Sequence, residues 1–188
     1  MIVASRPADL LPCSTFWHEM ATSDLFELEV DGRFRPGGHH CRVAMRGTWA
    51  VVPVLVCGPG ATLDDVMIDP VEAPRALAEI VRRRYRSAPR WRTMGPLVTD
   101  VIDSIATDRL WELNVGLVAG VRELLGISTP VRVARRGERR PHRIGDALPV
   151  PSRHRVFTDD SVLTLLMDHD DPMDLVLAEH ELYEEIRA

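Results

Sequence analysis

Apolar residues recur at two different spacings along the chain, and the change from one to the other divides it. Near the start the spacing is mostly that of strands. The run "MIVAS" is short, apolar and closed by Arg6-Pro7, which predicts a first strand. "LPCSTFWHEMATS" departs from this spacing: Leu11, Phe16, Trp17 and Met20 line one helical face, with Ser14 as the expected N-cap. "DLFELEVDG" then alternates strictly, setting Leu25, Glu27, Glu29 and Asp31 against Phe26, Leu28 and Val30. That is the pattern of a half-buried strand ending in a turn at Asp31-Gly32. "CRVAMRGTWAVVPVLV" reads as a hairpin turning at Arg46-Gly47, with Val43, Met45, Trp49, Val51, Val54 and Val56 expected inside and Pro53 pushing its second strand to an edge. "GPGATLDD" is a loop, and "DVMID" a short strand.

Beyond Ile68 the spacing becomes three and four. Asp69-Pro70 is an N-cap followed by a first-turn proline, opening a helix through Ala73, Leu77, Ile80 and Val81. A second helix is expected near "MGPLVTDVIDSI". The clearest one is capped by Thr107, carries Leu110, Leu113, Leu117, Val121, Leu124 and Leu125 on one side, and stops at Gly126. "VRVA" predicts a strand, followed by an irregular basic stretch. Asp160 is expected to cap the short helix "SVLTLLMD", and a final helix starts at Pro172. The expected fold is a single α/β domain over residues 1–188, with a strand-rich N-terminal part (a mixed sheet with a hairpin) followed by a helix-rich C-terminal part.

Composition narrows the class without naming a reaction. The 188 residues with 45% hydrophobic content suit one globular domain. No run approaches the ~20 apolar residues of a membrane span, and the N-terminus has no basic region followed by a long apolar one. Three cysteines, Cys13, Cys41 and Cys57, are odd in number and far apart, so a reducing, cytoplasmic setting is expected.

The net charge of −5 hides a polarity. Residues 131–155 hold eight arginines against Glu138 and Asp146, whereas the helical tail over 157–188 is dominated by acids. Two solvated, complementary faces explain that most simply; an anion-binding groove partly closed by the tail is the sharper reading.

The stretch "DGRFRPGGHHCRV" concentrates the candidate chemistry. His39, His40 and Cys41 are adjacent, so on a strand only His39 and Cys41 share a face. No partner motif stands nearby to complete the four ligands of a structural zinc site. Neither a metal nor a cofactor is expected. Anion binding fits better. Arg33, Arg35, His39, His40 and Arg42 surround Gly37-Gly38, and Arg6 ends the first strand, where open α/β sheets place ligands. If the sheet brings Arg6 beside Arg33 and Arg42, the pocket suits a phosphorylated ligand or nucleotide-sugar. Asp31, His39 and His40 are the candidate catalytic groups, Asp31 as a general base after a strand and His39 and His40 within the same loop. Cys13, at a helix start with His18 near, is a weaker nucleophile candidate.

The segment Arg82–Arg92 interleaves Arg82, Arg83, Arg86, Arg90 and Arg92 with Tyr85 and Trp91, a pattern able to stack bases and meet phosphates. A helix end whose arginines offset the dipole is the plainer reading. Apolar positions Leu175, Val176, Leu177 and Leu182 leave room for a homo-oligomer or an assembly role.

Taken in order, these segments resemble the WbqC-like family. Its members open with a strand leading into Q-P-x-Y-L-P-W-L-G-F-F, and here Pro7, Leu11-Pro12 and Phe16-Trp17 stand at those places. "SDLFELEVDGRF" is similar to A-D-x-F-V-x-x-D-x-V-Q-F through Asp24, Phe26, Asp31 and Phe34. "HHCRV" stands where the family has N-R-N-x-I, and "TWAVVPV" where it has W-L-T-V-P-V. "TLDDVMID", "IVRRRYRSAPRW", "LWELNVGLVAGVRELLGI" and "HRVFTDDSVLTLLMDHDDPMDLV" resemble later segments, so the likeness spans most of 1–127 and 153–177.

The departures are polar. Arg6 and Arg33 replace glutamines, Asp9 or Leu10 replaces a tyrosine, and His39 and Cys41 replace the asparagines. A Y-x-S-G-like stretch is missing between about Ile144 and Pro151. Asp31, Arg42 and Asn114 remain at polar positions that the resemblance carries over. It implies a transferase-type protein modifying amino sugars or other activated small molecules; the clustering of arginine where the family keeps glutamine and asparagine makes Arg6, Arg33 and Arg42, together with Asn114, the expected substrate-binding residues. The alternatives are amino-acid or acyl transfer to a modified DNA base, and a binding or assembly module without catalysis.

Overall fold

The computed structural model describes residues 1–55, 57–135 and 160–178. The basic stretch beyond Arg135, the tail beyond Ala178, Val56 and Leu182 lie outside them.

Strand β1 (Val3–Pro7), helix α1 (Ser14–Ala21) and strand β2 (Leu25–Glu29) form a parallel βαβ unit, with Val3 beside Leu25 and Pro7 beside Glu29. Strand β5 (Val131–Ala134) adds to the other side of β2, also parallel, giving the order β1-β2-β5. The expected alternation of β2 fails at Glu27, which is only 5% exposed. A central parallel strand is covered on both faces. Its carboxylate survives burial because Arg132, next door on β5, donates to it through Nε at 3.0 Å. Phe26 on this strand meets Phe16 of α1 edge-on at 4.9 Å, and Trp17 beside it is wholly buried, its indole N–H donating to Pro12 O at 3.0 Å.

The hairpin is a separate two-stranded antiparallel sheet, so the expected mixed sheet resolves into two units. Strand β3 (Arg42–Met45) turns into β4 (Thr48–Val51) through Arg46 at φ 51° and Gly47 at φ 69°. Two left-handed residues in a two-residue loop are the primed turn that matches strand twist. This loop sets Val43 opposite Ala50 and Met45 opposite Thr48. The inward face is therefore Val43, Met45 and Ala50. Trp49 and Val51, expected inside, are 46% and 53% exposed. "DVMID", expected as a short strand over 65–69, is instead the end of a 3₁₀ turn at Asp65 and an extended connection with a single bridge from Met67 to Arg109. The 3₁₀ turn (Leu63–Asp65) is closed by a capping box between Thr62 and Asp65.

Helices α2 (Glu72–Tyr85), α3 (Trp91–Ser104) and α4 (Leu110–Leu124) follow. Asp69 caps α2 as expected, accepting from the amides of Val71 and Glu72 at 2.9 and 2.8 Å. Those amides hold its carboxyl below the ordinary range. Gly126 ends α4 at φ 71°. A Cβ on Gly120 would stand 2.3 Å from Val101 Cγ1, so α3 and α4 approach closely at that point.

The chain returns at residue 160. Ser161 N donates to Ala44 O at 2.8 Å and Val162 N to Pro12 O at 3.1 Å, seating this segment between the hairpin and the start of α1. Helix α5 (Leu163–Asp168) continues the core with Leu163, Leu166 and Met167 wholly buried, and a further helix covers residues 172–178. Two expected caps are corrected here. Cys13, not Ser14, is the N-cap of α1, and Ser14 is buried. Asp160 accepts from Gly47 N at 2.9 Å and so fixes the hairpin turn, while Ser161 Oγ accepts the Leu163 amide at 3.2 Å. Among the described residues, no helix is long and apolar enough to cross a membrane.

Candidate functional site

All three parallel strands point their C-terminal ends the same way, and the chain leaves them at Ala8-Asp9, Val30-Asp31 and Arg135. At this end the loop over residues 31–41 is folded by its own turns. Pro36 and Gly37 form the middle of a turn closed by Gly38 N donating to Arg35 O at 2.8 Å, and Gly37 has φ 72°. Proline followed by left-handed glycine is a type II turn. The amides of Cys41 and Arg42 then both donate to Gly38 O.

Neighbours hold the loop from several sides. Phe34 N donates to Ala61 O, Leu63 N to Gly32 O, and Leu10 N to His39 O, at 2.8–2.9 Å. Beneath it sits Asn114, projecting from α4 and wholly buried. Its Nδ2 donates to Ala8 O at 2.8 Å and to His40 O at 2.9 Å, tying the segment after β1 to the loop after β2. Its Oδ1 is buried with no hydrogen-bond partner among the described residues. Leu11, in the segment so held, is buried and left-handed at φ 44°. A bulky residue held there stores backbone strain.

Three of the sequence-predicted side chains make contacts at this end, His40 in one place and Arg42 with His39 in another. His40 Nδ1 lies 2.9 Å from Asp9 Oδ1, a close approach whose angle does not make it a hydrogen bond. Its ring stands 6.4 Å from that of Phe34. The guanidinium of Arg42 lies over Trp49, 4.2 Å from the ring centroid, and the His39 ring is 5.9 Å from the same indole. Arg33 and Arg35 are exposed on the loop, and Asp31 is half-buried at its start.

Arg6 behaves differently from the expectation. Its guanidinium is taken up by Glu19 of α1 through two contacts, Nε reaching Oε2 at 2.5 Å. The Glu19 hydrogen bond also raises its pKa, so it stays a cation bound to α1. Burial pushes the Cys13 thiol up in spite of its place at a helix start, the direction opposite to that of an activated nucleophile. Among the described residues no group of His, Cys, Asp and Glu is arranged to hold a metal ion.

The profile of the WbqC-like protein family matches residues 8–148. The chain belongs to that family. No curated protein and no solved structure matches it. Within this WbqC-like chain, the matched span contains the loop, Asp9, Trp49 and Asn114 together.

Asp9 and Trp49 are the residues that sequence reasoning missed. Asp9 has no motif of its own, and only the fold brings it to His40, 31 residues later. Trp49 was placed inside by strand alternation, and the turn register alone moves it out. Elsewhere in this WbqC-like fold, Arg82 contacts Glu79 and Asp103 at 4.0 and 3.7 Å. Arg90 donates to His169 O at 2.6 Å and contacts Asp170 at 3.3 Å, while Arg83, Arg86 and Arg92 are exposed. Arg135 pairs with Asp64 at 2.6 Å. Leu175 packs against the core, Val176 is wholly buried and Leu177 is 41% exposed.

Proposed function

We propose that the chain is a transferase-type member of the WbqC-like family that binds an anionic small molecule on the loop over residues 31–42. The molecule is a nucleotide-sugar, or a phosphorylated or aminoacyl-type donor, used to modify an amino sugar or related metabolite. The observation that carries this is the loop itself. It is fixed to α4, to the segment after β1 and to the 3₁₀ turn, yet turns Arg33, Arg35 and His39 outward beyond the sheet's C-terminal ends. A cationic surface held in one conformation binds an anion without first being ordered. Arginine offers phosphate a bidentate fork.

His40 is the proposed proton acceptor. Its ring stands at the sheet's C-terminal end with Nδ1 2.9 Å from Asp9 Oδ1, and an imidazole nitrogen within reach of a reacting amine serves as a general base. In acyl transfer to an amine, the new nitrogen–acyl bond forms as the bond to the leaving phosphate breaks, and the proton lost by nitrogen passes to His40.

Thermal-shift measurements with nucleotide-sugars, nucleotides and acyl phosphates test the reading. A ligand at a hundred times its Kd stabilises the fold by about 2.7 kcal/mol. That stabilisation should disappear in Arg42→Ala. For His40→Ala it should persist while turnover is lost. Absence of any shift across all anionic compounds overturns the proposal.

A further inference from the structure

We propose that Trp49 is a stacking platform for the base of a nucleotide whose phosphate lies along the arginine-bearing loop over residues 33–42. This rests on the reading above and names its substrate class.

The hairpin register faces Trp49 and Val51 outward, and Arg42 stands directly across from Val51. The largest side chain type of the chain is thus left 46% exposed beside a polar loop, while Trp17 is wholly buried. Its indole is not loose. The Arg42 guanidinium packs on it at 4.2 Å, and His39 flanks it at a 53° tilt. A cation on an aromatic face fixes the ring in place, and a fixed ring loses little freedom when a second ring stacks on its remaining surface.

Charge decides what kind of ring. Arg46, in the same hairpin, is neutralised by Asp168. Arg42 forms no salt bridge among the described residues, and its Nε is buried with no hydrogen-bond acceptor. Arg33 and Arg35 are exposed nearby in sequence on the same loop. An aromatic surface beside Arg42 and the exposed Arg33 and Arg35 is complementary to a flat base attached to a phosphate. A free nucleotide and a nucleotide within a single strand share that chemistry.

Calorimetric titration with AMP, UMP and dTMP, with ribose 5-phosphate, and with an oligothymidylate separates the possibilities. Stacking of one base strengthens binding roughly 5- to 150-fold. The nucleotides should therefore bind at least about fivefold more tightly than ribose 5-phosphate. Trp49→Ala should bring them down to the sugar phosphate's level and leave that compound unchanged, and Trp49→Phe should keep most of the gain. Tighter binding of the oligothymidylate than of dTMP, lost in Trp49→Ala, assigns the platform to a strand; equal binding assigns it to the free nucleotide. Nucleotides and ribose 5-phosphate binding equally, with Trp49→Ala silent, overturn the platform but leave the anion site standing. Binding of none of these compounds overturns both.

Discussion

At the scale of single residues, Asn114 does more than its polarity suggests. One amide group supplies both hydrogens for two main-chain carbonyls, Ala8 O and His40 O, which come from segments far apart in sequence. Asn114→Ala strands both carbonyls in a buried place, and each unsatisfied group costs about 1–3 kcal/mol. Urea denaturation should show a loss of roughly 2–6 kcal/mol, several times a typical surface change. The same variant should weaken anion binding, because the loop bearing Arg33, Arg35 and Arg42 loses its underside support. The sequence marked Asn114 only through family resemblance. Helix α4 was legible from its leucines, but a buried asparagine among them gives no sign of which carbonyls it will meet. His40 was legible as chemistry and Asp9 was not, since an isolated aspartate after a strand says nothing until the fold places it 2.9 Å from a ring nitrogen.

Elements were read well where local physics decides them and poorly where a neighbour does. Asp69 before α2 and Gly126 after α4 are local signals, and both act as expected. Asp160 is also a good cap by type, yet the hairpin turn claims it through Gly47 N. For β4, alternation gave two possible inward faces, and the Arg46-Gly47 turn chose the one that sequence reading did not. Two predictions belong here. Gly120→Ala should destabilise by about 1–3 kcal/mol, as overpacking does. Helix propensity alone would favour alanine by about 1 kcal/mol, so a stabilised variant in a melt would show that α3 and α4 can part without cost. The second concerns acid. The folded-state pKa of Asp69 is lowered, so its contribution is present above the unfolded aspartate range and lost as pH falls through the folded value. Asp69→Asn keeps an oxygen for the cap but no proton to titrate. Its melting temperature should fall less steeply than that of the wild type between about pH 4 and pH 2.

At the scale of the whole molecule, the strand order β1-β2-β5 explains why the chain's chemistry gathers at one end, since parallel strands deliver their following loops to the same side. That order was beyond the sequence, because nothing local says that "VRVA" pairs with "LFELE" about a hundred residues earlier. The fold was legible as an α/β domain, and the site only as a list of residues. The segment beginning at Asp160 has one more consequence. It contributes a bridge to Cys13, a bridge to Ala44, and the wholly buried side chains of Val162, Leu163, Leu166 and Met167. Tyr85 at the end of α2 also meets Thr164, its Oη 2.9 Å from Thr164 Oγ1. The interior is therefore completed by a piece that enters late and is held by the bridges, the hydrogen bond and the buried side chains just named. Two polypeptides ending at residue 135 and starting at residue 160 should reconstitute one another when mixed. Association of separate chains costs an estimated 4–15 kcal/mol, so recovery of the native tryptophan spectrum should rise with fragment concentration. A first fragment that regains that spectrum alone would mean that the late segment merely covers a finished core.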